Sequence, residues 1–211
     1  MKKYLVIGNP IKHSLSPELH NHWIKQNNIN AIYEKEKLNN DELENLILDI
    51  KKEKIHGANI TLPFKNAVIT HLDELSDEAK KTQSVNTIFL KNKKVVGHNT
   101  DIEGFIMAIK KINFNFDNKK IFILGAGGVV PSIIYASMKM GSSEIIISNR
   151  TKNKAKKLKN IFENIKIVNW GDMPNFDVVI NATSMGLNKD DKINLDFSKI
   201  GKNKLFYDVI Y

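Results

Sequence analysis

A glycine-rich segment, Gly125-Ala126-Gly127-Gly128, separates a short apolar run from a segment with helical periodicity. Glycines in such a turn let the backbone approach a phosphate group closely, and the N-terminus of the following helix favours negative charge there. In this strand–turn–helix order the pattern predicts a site for the pyrophosphate of a dinucleotide. The alternative is a plain glycine turn that binds no ligand.

A second polar segment, Asn149-Arg150-Thr151, follows the next predicted strand, with Lys154 close behind it. NAD-binding folds usually place an acidic residue here, on the ribose 2′-hydroxyl, whereas an arginine can receive the 2′-phosphate of NADP. The threonine hydroxyl can add a hydrogen bond, and Lys154 adds positive charge. The sequence therefore predicts NADP as the cofactor, and the alternative is an exposed arginine that caps a turn.

A loop of small polar residues, 181–186, follows a later apolar strand. Ligands of parallel α/β sheets bind at the carboxyl ends of the strands. We therefore expect Thr183, Ser184 and Met185 to contact the cofactor, although a polar loop without a ligand would have the same composition.

Two segments of alternating strand and helix patterns must position these residues. The second segment is predicted to contain five apolar strands, at residues 121–124, 144–148, 165–168, 177–181 and 205–210. Helices predicted at 129–140 and 152–162 lie between the first three of them. This alternation is typical of a parallel sheet that is covered on both faces, and the last strand is expected near its edge.

The first segment predicts a smaller α/β unit. Its elements are strands at 4–7, 32–37 and 57–61, helices at 17–26 and 41–51, and a hairpin of strands 85–90 and 94–97 around Asn92. The fold class is therefore α/β. We predict an N-terminal α/β domain over residues 1–101, a connecting helix and linker over 102–120, and a Rossmann-type doubly wound parallel sheet over 121–211.

Composition limits the classes of function. The chain has 211 residues, no cysteine and a formal net charge of +9. Without cysteine there is neither a disulfide nor a thiolate metal site, and the spacing of His13, His20 and His22 does not indicate a metal. The lysines are scattered over predicted helix faces, so we expect no nucleic-acid partner. We see no signal peptide and no apolar run of ~20 residues, and expect a cytoplasmic protein without a membrane partner.

Short polar motifs are spaced along the whole chain. They are the segments 8–21 (GNPIKHSLSPELHN), 59–65 (NITLPFK), 84–87 (SVNT), 97–101 (GHNTD), 149–151 (NRT), 181–184 (NATS) and 207–211 (YDVIY). Together, and in this order, they resemble the shikimate dehydrogenase family. The resemblance implies NADP-dependent, reversible reduction of 3-dehydroshikimate to shikimate, in the cleft between two α/β domains, as a step of chorismate and aromatic amino acid biosynthesis.

Hydroxyl and amide side chains of the first segment suit such a substrate. Ser14 and Ser16 flank the start of a helix, where two hydroxyls can hold a carboxylate, and the family uses this pair for the carboxylate of shikimate. The alternative for Ser16 is an N-cap only. Thr61 and Asn86 offer neutral donors and acceptors for the ring hydroxyls, and the resemblance adds Tyr211, in the closing motif, to the expected substrate-binding residues.

Lys65 and Asp101 are the predicted catalytic residues. Reduction of a ketone by hydride needs a proton donor at the developing alkoxide, and a lysine held by a carboxylate can supply it. In the family the matching pair surrounds a substrate hydroxyl. The alternatives are a solvated lysine at a helix start and a first-turn acid that is stabilised by the helix dipole.

Two features depart from the family. The residues Thr82-Gln83-Ser84 stand where family members commonly have Ile-Gly-Ala, which leaves the backbone path before Asn86 open. The family also continues past the residue matching Tyr211, which makes a truncated, catalytically weak fragment that binds NADP and shikimate one alternative. The other is a quinate/shikimate dehydrogenase that uses NAD, against which Arg150 argues. The sequence leaves a homodimer open.

Overall fold

The structure, a computed structural model, describes residues 1–187, 190–191, 195–198 and 200–210. It divides into two compact units, Met1–Thr100 and Asp101–Tyr211. Each unit contains its own sheet, and the two are described separately below.

The first unit is built on a six-stranded mixed sheet with the strand order β2-β1-β3-β5-β6-β4. Strand β1 is parallel to β2 and β3, β5 is antiparallel to both of its neighbours, and β4 is parallel to β6. The strands are β1 (Lys2–Gly8), β2 (Ala31–Lys37), β3 (Gly57–Ile60), β4 (Glu74–Leu75), β5 (Thr87–Lys91) and β6 (Lys94–His98). The helices are α1 (Ser16–Gln26), α2 (Leu43–Lys51), α3 (Phe64–Ala67) and α4 (Asp77–Thr82), with 3₁₀ turns at Asn40–Glu42 and Val68–His71.

Apolar side chains at helical and strand spacing form the core of this unit. Helix α2 buries Leu43, Leu46, Ile47 and Ile50, four positions on one face of a 3.6-residue period. They pack in one cluster with side chains of β1 and β3, such as Ile7. The α2 pattern therefore specifies which face of the helix covers the sheet.

The second unit contains a five-stranded parallel sheet with the order β11-β10-β7-β8-β9. Its strands are β7 (Lys120–Leu124), β8 (Glu144–Ser148), β9 (Ile165–Val168), β10 (Val178–Asn181) and β11 (Leu205–Asp208), and its helices are α5 (Asp101–Lys111), α6 (Val130–Lys139) and α7 (Lys152–Ile161). Side chains of β7 point alternately into two cores: Ile121 and Ile123 into one, Phe122 and Leu124 into the other. Burial on both faces confirms the predicted parallel α/β sheet, and β11 is an edge strand as expected.

Helix α5 belongs to the second unit, whereas the sequence predicted a separate connecting helix and linker over residues 102–120. Its side chains Ile102, Phe105 and Ile109 are buried in the same cluster as Ile133 of α6. The apolar face of α5 requires a partner, and the α6 side of the second sheet supplies it. The boundary between the units consequently falls after Thr100.

Asp177 connects the starts of β7, β10 and β11 by hydrogen bonds. We expect it to make the stability of the second unit depend on pH in the acid range. Its carboxylate accepts the Lys120 backbone N–H at 3.0 Å and pairs with the Lys204 ammonium at 3.2 Å, while its carbonyl accepts the Leu205 N–H at 3.0 Å. The Lys120 N–H first, and then Lys204, hold the pKa of this carboxyl below its usual value. A depressed carboxyl pKa contributes stability above the unfolded value of about 3.9 and loses it as the pH falls through the folded value.

We therefore expect the free energy of unfolding to fall with acidification below about pH 4 less steeply in Asp177→Asn than in the unaltered chain. Urea unfolding over a pH series measures this, with the exposed carboxylate of Glu163, changed to Gln, as the matched control. Parallel acid curves for Asp177→Asn and the unaltered chain would contradict the assignment.

Candidate functional site

The glycine turn between β7 and α6 lies close against the loop that follows β10. Gly125 has φ +114°, and a Cβ atom at this position would lie 2.5 Å from the Ala182 carbonyl oxygen. The Gly125 N–H donates to the Ser148 carbonyl at 2.8 Å, which attaches the turn to the end of β8. Only glycine combines this backbone conformation with this close approach, so the turn needs Gly125 for its own geometry.

A cleft of about 350 Å³ opens beside this turn at the carboxyl ends of the strands. Its lining residues come from the ends of β7, β8, β9 and β10, and we call it the glycine-turn cleft. They are Gly125, Ala126, Gly127, Asn149, Arg150, Thr151, Lys154, Trp170, Ala182, Thr183, Ser184 and Met185. Of the cofactor residues predicted from sequence, Gly128 alone is not in this lining, and Trp170 was not predicted.

The charge of the glycine-turn cleft favours an anion. Among the described residues that line it, Arg150 and Lys154 are cationic and none is acidic. The Asn149 side-chain amide and the Lys154 backbone N–H both donate to the Thr151 carbonyl, at 2.8 and 3.0 Å, and so order the turn that presents Arg150. Two cations at the start of α7 suit a phosphate group, which a guanidinium can bind through two N–H groups.

Asn181 holds the polar loop at the other side of the cleft. Its amide nitrogen donates to the Met185 carbonyl at 2.9 Å and to the Asp208 carboxylate at 3.0 Å. Its amide oxygen accepts the Thr183 hydroxyl at 2.7 Å, and the Thr183 oxygen accepts the Met185 N–H at 3.0 Å. Residues 183–185 are thereby fixed at the cleft by a buried amide, and their contact with a cofactor stays a prediction.

The serine pair of the first unit lies at the start of α1. Leu15 rather than Ser16 occupies the N-cap position, and no side chain caps it by a hydrogen bond. The Ser16 N–H donates to the Ser14 hydroxyl oxygen at 3.3 Å, so the two serines are adjacent and half-buried. Leu15, not Ser16, is therefore the N-cap residue, and the binding of a carboxylate by the serine pair stays a prediction.

Lys65 lies beyond the carboxyl end of β3, in the short helix α3. The Thr61 N–H donates to the Ile7 carbonyl at 2.9 Å, and the Thr61 carbonyl accepts the Phe64 N–H at 2.9 Å. The Lys65 carbonyl accepts the Val85 N–H at 2.7 Å, which ties the helix to the chain just before Asn86. Thr61 and Lys65 are half-buried, and their backbone is fixed from two sides.

Asn86 positions the residue that precedes Asp101. Its amide nitrogen donates to the Thr100 hydroxyl oxygen at 2.9 Å, and its amide oxygen accepts the Thr100 N–H at 2.9 Å. Asp101 follows as the first residue of α5. Because Lys65 and Asp101 belong to different units, their pairing stays a prediction.

The divergent segment Thr82-Gln83-Ser84 has a well-defined path. Helix α4 ends at Thr82, Gln83 adopts a left-handed conformation with φ +50°, and the Ser84 carbonyl accepts the Asn99 side-chain amide at 2.9 Å. The Thr82 hydroxyl donates to the Glu78 carbonyl at 2.7 Å. These hydrogen bonds hold the backbone between α4 and Asn86 in a turn that contains no glycine.

A hydrogen-bonded chain of side chains that sequence reasoning missed connects Tyr33 of β2 to Asn86. The Tyr33 hydroxyl donates to the Asn59 amide oxygen at 2.6 Å, and the Asn59 amide nitrogen donates to the Thr87 hydroxyl oxygen at 3.1 Å. The Thr87 hydroxyl donates in turn to the Asn86 amide oxygen at 3.1 Å. Burial raises the pKa of the Tyr33 hydroxyl, which keeps it a donor. The inclusion of Asn59 in the 59–65 motif was the available signal.

Of the three histidines considered from the sequence, His20 packs against an aromatic side chain. His20 stacks on Tyr33 with ring centroids 4.2 Å apart, and burial lowers the pKa of its imidazole. Among residues that the structure describes, no group of three or more His, Asp or Glu side chains could hold a metal ion.

Within the same ranges, no helix is long and apolar enough to cross a membrane. Tyr211 lies outside the described residues.

Comparisons with known proteins connect both units to one family. A profile described as the shikimate dehydrogenase substrate binding domain matches residues 6–88, and one described as shikimate / quinate 5-dehydrogenase matches residues 107–205. The shikimate dehydrogenase (NADP(+)) of Pelagibacter ubique is 58% identical over 210 residues, which cover 100% of this chain and 79% of the relative.

Solved structures give the same result. The crystal structure of shikimate dehydrogenase from Aquifex aeolicus matches with a TM-score of 0.91 and 38% identity, over 100% of this chain and 79% of that one. A structure of shikimate 5-dehydrogenase from Thermus thermophilus in complex with NADP(H) and shikimate matches with a TM-score of 0.87 and 28% identity, over 99% of this chain and 78% of that one.

Proposed function

The chain belongs to the shikimate dehydrogenase family, and on that premise we propose that it catalyses the reversible, NADP-dependent reduction of 3-dehydroshikimate to shikimate. The observation that carries the proposal is the glycine-turn cleft, which combines a close-packed glycine turn with Arg150 and Lys154. The family places this oxidoreductase in the biosynthesis of chorismate and the aromatic amino acids.

The residues of the glycine-turn cleft fit NADP. A Cβ atom at Gly127 would meet nothing nearer than the Ala182 oxygen at 3.9 Å, so the backbone there is open to a ligand. The turn would hold the pyrophosphate at the N-terminus of α6, and Arg150, Thr151 and Lys154 would hold the 2′-phosphate. Thr183, Ser184 and Met185 would contact the cofactor from the loop after β10. Bound NADPH supplies the hydride for the reaction.

Residues of the first unit provide for the substrate. The Ser14 and Ser16 hydroxyls bind its carboxylate at the start of α1, and Thr61 and Asn86 bind ring hydroxyls. Tyr211 belongs to the same predicted set. Each neutral partner matters because a buried polar group left without a hydrogen bond costs about 1–3 kcal/mol.

Lys65 acts as the acid and base of the reaction. Reduction turns the substrate carbonyl into an alkoxide, and the Lys65 ammonium donates one proton to that oxygen; oxidation of shikimate returns the proton to the amine. Asp101 holds the lysine in position and keeps its charge balanced. In this scheme Asn86 has a second task, because it fixes Thr100, the residue next to Asp101.

The alternative of a quinate/shikimate dehydrogenase that uses NAD is disfavoured by the charge of the cleft. A ribose 2′-hydroxyl requires an acceptor such as Asp or Glu after β8, and the chain has Arg150 there instead. Parallel assays with shikimate or quinate, and with NADP⁺ or NAD⁺, distinguish the two functions.

We expect Arg150→Gln to weaken NADP⁺ binding by about 10–100-fold, because a charge-assisted hydrogen bond to phosphate contributes ~1.5–3 kcal/mol. The affinity for NAD⁺, which has no 2′-phosphate, should stay nearly constant. Isothermal titration with both dinucleotides measures the ratio, with Lys156→Gln, on the exposed face of α7, as the control. An equal loss for NAD⁺ and NADP⁺ would show that Arg150 does not read the phosphate.

The proposal extends to partners and location. The substrate is a small molecule, and we propose a cytoplasmic enzyme, without nucleic-acid or membrane partners, that can form a homodimer. Light scattering coupled to size exclusion measures the oligomeric state directly.

A further inference from the structure

Trp170 is a lining residue of the glycine-turn cleft to which no role has been given. Trp170 is half-buried, packs against the buried cluster of the second sheet that contains Phe122 and Phe176, and also lines the cleft. An aromatic side chain that packs on a core and also borders a cleft can present a flat apolar surface to a ligand. Such a surface is what a nucleic-acid base stacks on.

The turn after β9 fixes the backbone position of Trp170. The Asp172 N–H donates to the Asn169 carbonyl at 3.2 Å, and the Asp172 carboxylate accepts the Asn169 N–H at 3.0 Å. Gly171, the third residue of the turn, has φ +97° with open space where a Cβ would lie. These are the features of a type II turn, in which Trp170 is the second residue and its backbone is held on both sides.

The same turn is attached to the strand that presents Arg150. The Ser148 hydroxyl donates to the Asn169 carbonyl at 2.9 Å, and the Lys152 ammonium donates to the Asn169 amide oxygen at 3.2 Å. Ser148 and Lys152 flank the segment 149–151. The turn that contains Trp170 and the residues proposed for the 2′-phosphate are therefore joined by the same set of hydrogen bonds.

The strand order gives the direction of the cofactor. From β10 through β7 and β8 to β9, the cleft meets in turn the loop 183–185, the glycine turn, Arg150 and finally Trp170. The pyrophosphate belongs at the glycine turn, and the 2′-phosphate, which is carried by the adenosine ribose, belongs at Arg150. The adenine, attached to that same ribose, then comes next to the turn after β9 that contains Trp170.

We propose that Trp170 is the surface on which the adenine ring of NADP stacks, so that this residue adds affinity for the adenosine end of the cofactor. This inference rests on the proposed NADP site and adds a residue to it. Its probe is 2′,5′-ADP, which contains the adenine and the 2′-phosphate and lacks the nicotinamide.

Fluorescence and affinity test the stacking independently. The chain has two tryptophans, Trp23 and Trp170, so Trp23→Phe leaves Trp170 as the only indole emitter. In that background 2′,5′-ADP should quench the emission, whereas nicotinamide mononucleotide should not. Trp170→Leu, which keeps an apolar side chain against the buried cluster, should weaken 2′,5′-ADP binding about tenfold, and Trp170→Phe by less than about threefold.

The outcomes separate this inference from the function on which it rests. Quenching by 2′,5′-ADP, together with a loss of affinity in Trp170→Leu that Trp170→Phe largely restores, supports it. Unchanged 2′,5′-ADP affinity in Trp170→Leu overturns it, and leaves the NADP site standing if Arg150→Gln still weakens the same ligand. Failure of 2′,5′-ADP to bind the unaltered chain overturns both.

Discussion

Replacing Lys65 by alanine is expected to lower kcat for shikimate oxidation by about 10²–10⁴-fold, the usual contribution of a positioned acid or base. The dissociation constant for NADP⁺ should change little, because the cofactor residues are in the second unit and Lys65 is in the first. Steady-state kinetics and titration calorimetry measure the two quantities. A group that acts on the reacting oxygen lowers kcat and kcat/KM together, which separates this role from simple substrate binding.

A matched control is available in the same unit. Lys52 is exposed at the end of α2, and Lys52→Ala removes the same charge without touching the site. If Lys65→Ala retains the turnover of Lys52→Ala, then Lys65 is the solvated lysine that the sequence left as the alternative.

The second large effect is expected at Gly125. Alanine there would adopt a left-handed conformation that costs about 1–2 kcal/mol, and its methyl group would lie 2.5 Å from the Ala182 oxygen. We expect Gly125→Ala to lower the free energy of unfolding by more than about 2 kcal/mol and to abolish measurable NADP⁺ binding. Urea unfolding and calorimetry measure the two effects.

Gly127→Ala separates folding from cofactor binding. A methyl group at Gly127 would meet only the Ala182 oxygen, at 3.9 Å, and the backbone there is not left-handed. The chain should keep its stability and still bind NADP⁺ far more weakly, because the methyl group occupies the approach of the pyrophosphate. Equal stability of Gly125→Ala and Gly127→Ala would contradict the geometric account of the turn.

The second unit was predicted closely because its strands are buried on both faces. Short apolar runs such as Ile121-Phe122-Ile123-Leu124, which alternate along the chain with helical patterns, are typical of buried parallel strands. All five predicted strands are present. Helix α5, which the sequence predicted as part of a connecting segment, has a clear amphipathic pattern. A pattern of this kind predicts that a face is buried, yet it does not say against which neighbour.

Short elements of the first unit escaped prediction because tertiary contacts form them. Strand β4 has only two residues, Glu74 and Leu75, which is too short for periodicity. Helix α3 is only four residues long, and the Asn66 amide beside Lys65 donates to the Gln83 carbonyl at 2.9 Å. By contrast, the hairpin at Asn92 was predicted, and Asn92 and Lys93 have the positive φ that a two-residue turn requires.

In the candidate site, too, residues with a recognisable sequence pattern were predicted, and residues brought together only by tertiary contacts were missed. Most residues that line the glycine-turn cleft were predicted because glycine and arginine at strand ends have characteristic spacing. Trp170 was missed because an aromatic residue in a turn has no spacing of its own. The chain from Tyr33 through Asn59 to Asn86 joins residues distant in sequence, and only the folded sheet brings them into contact.

The most direct test of the proposed function mixes the purified chain with shikimate and NADP⁺ and follows the formation of NADPH. We predict NADPH formation that requires shikimate and that Lys65→Ala slows by about 10²–10⁴-fold, and much slower turnover when NAD⁺ replaces NADP⁺ or quinate replaces shikimate. A chain that binds NADP⁺ in the glycine-turn cleft and forms no NADPH with shikimate would contradict the assignment.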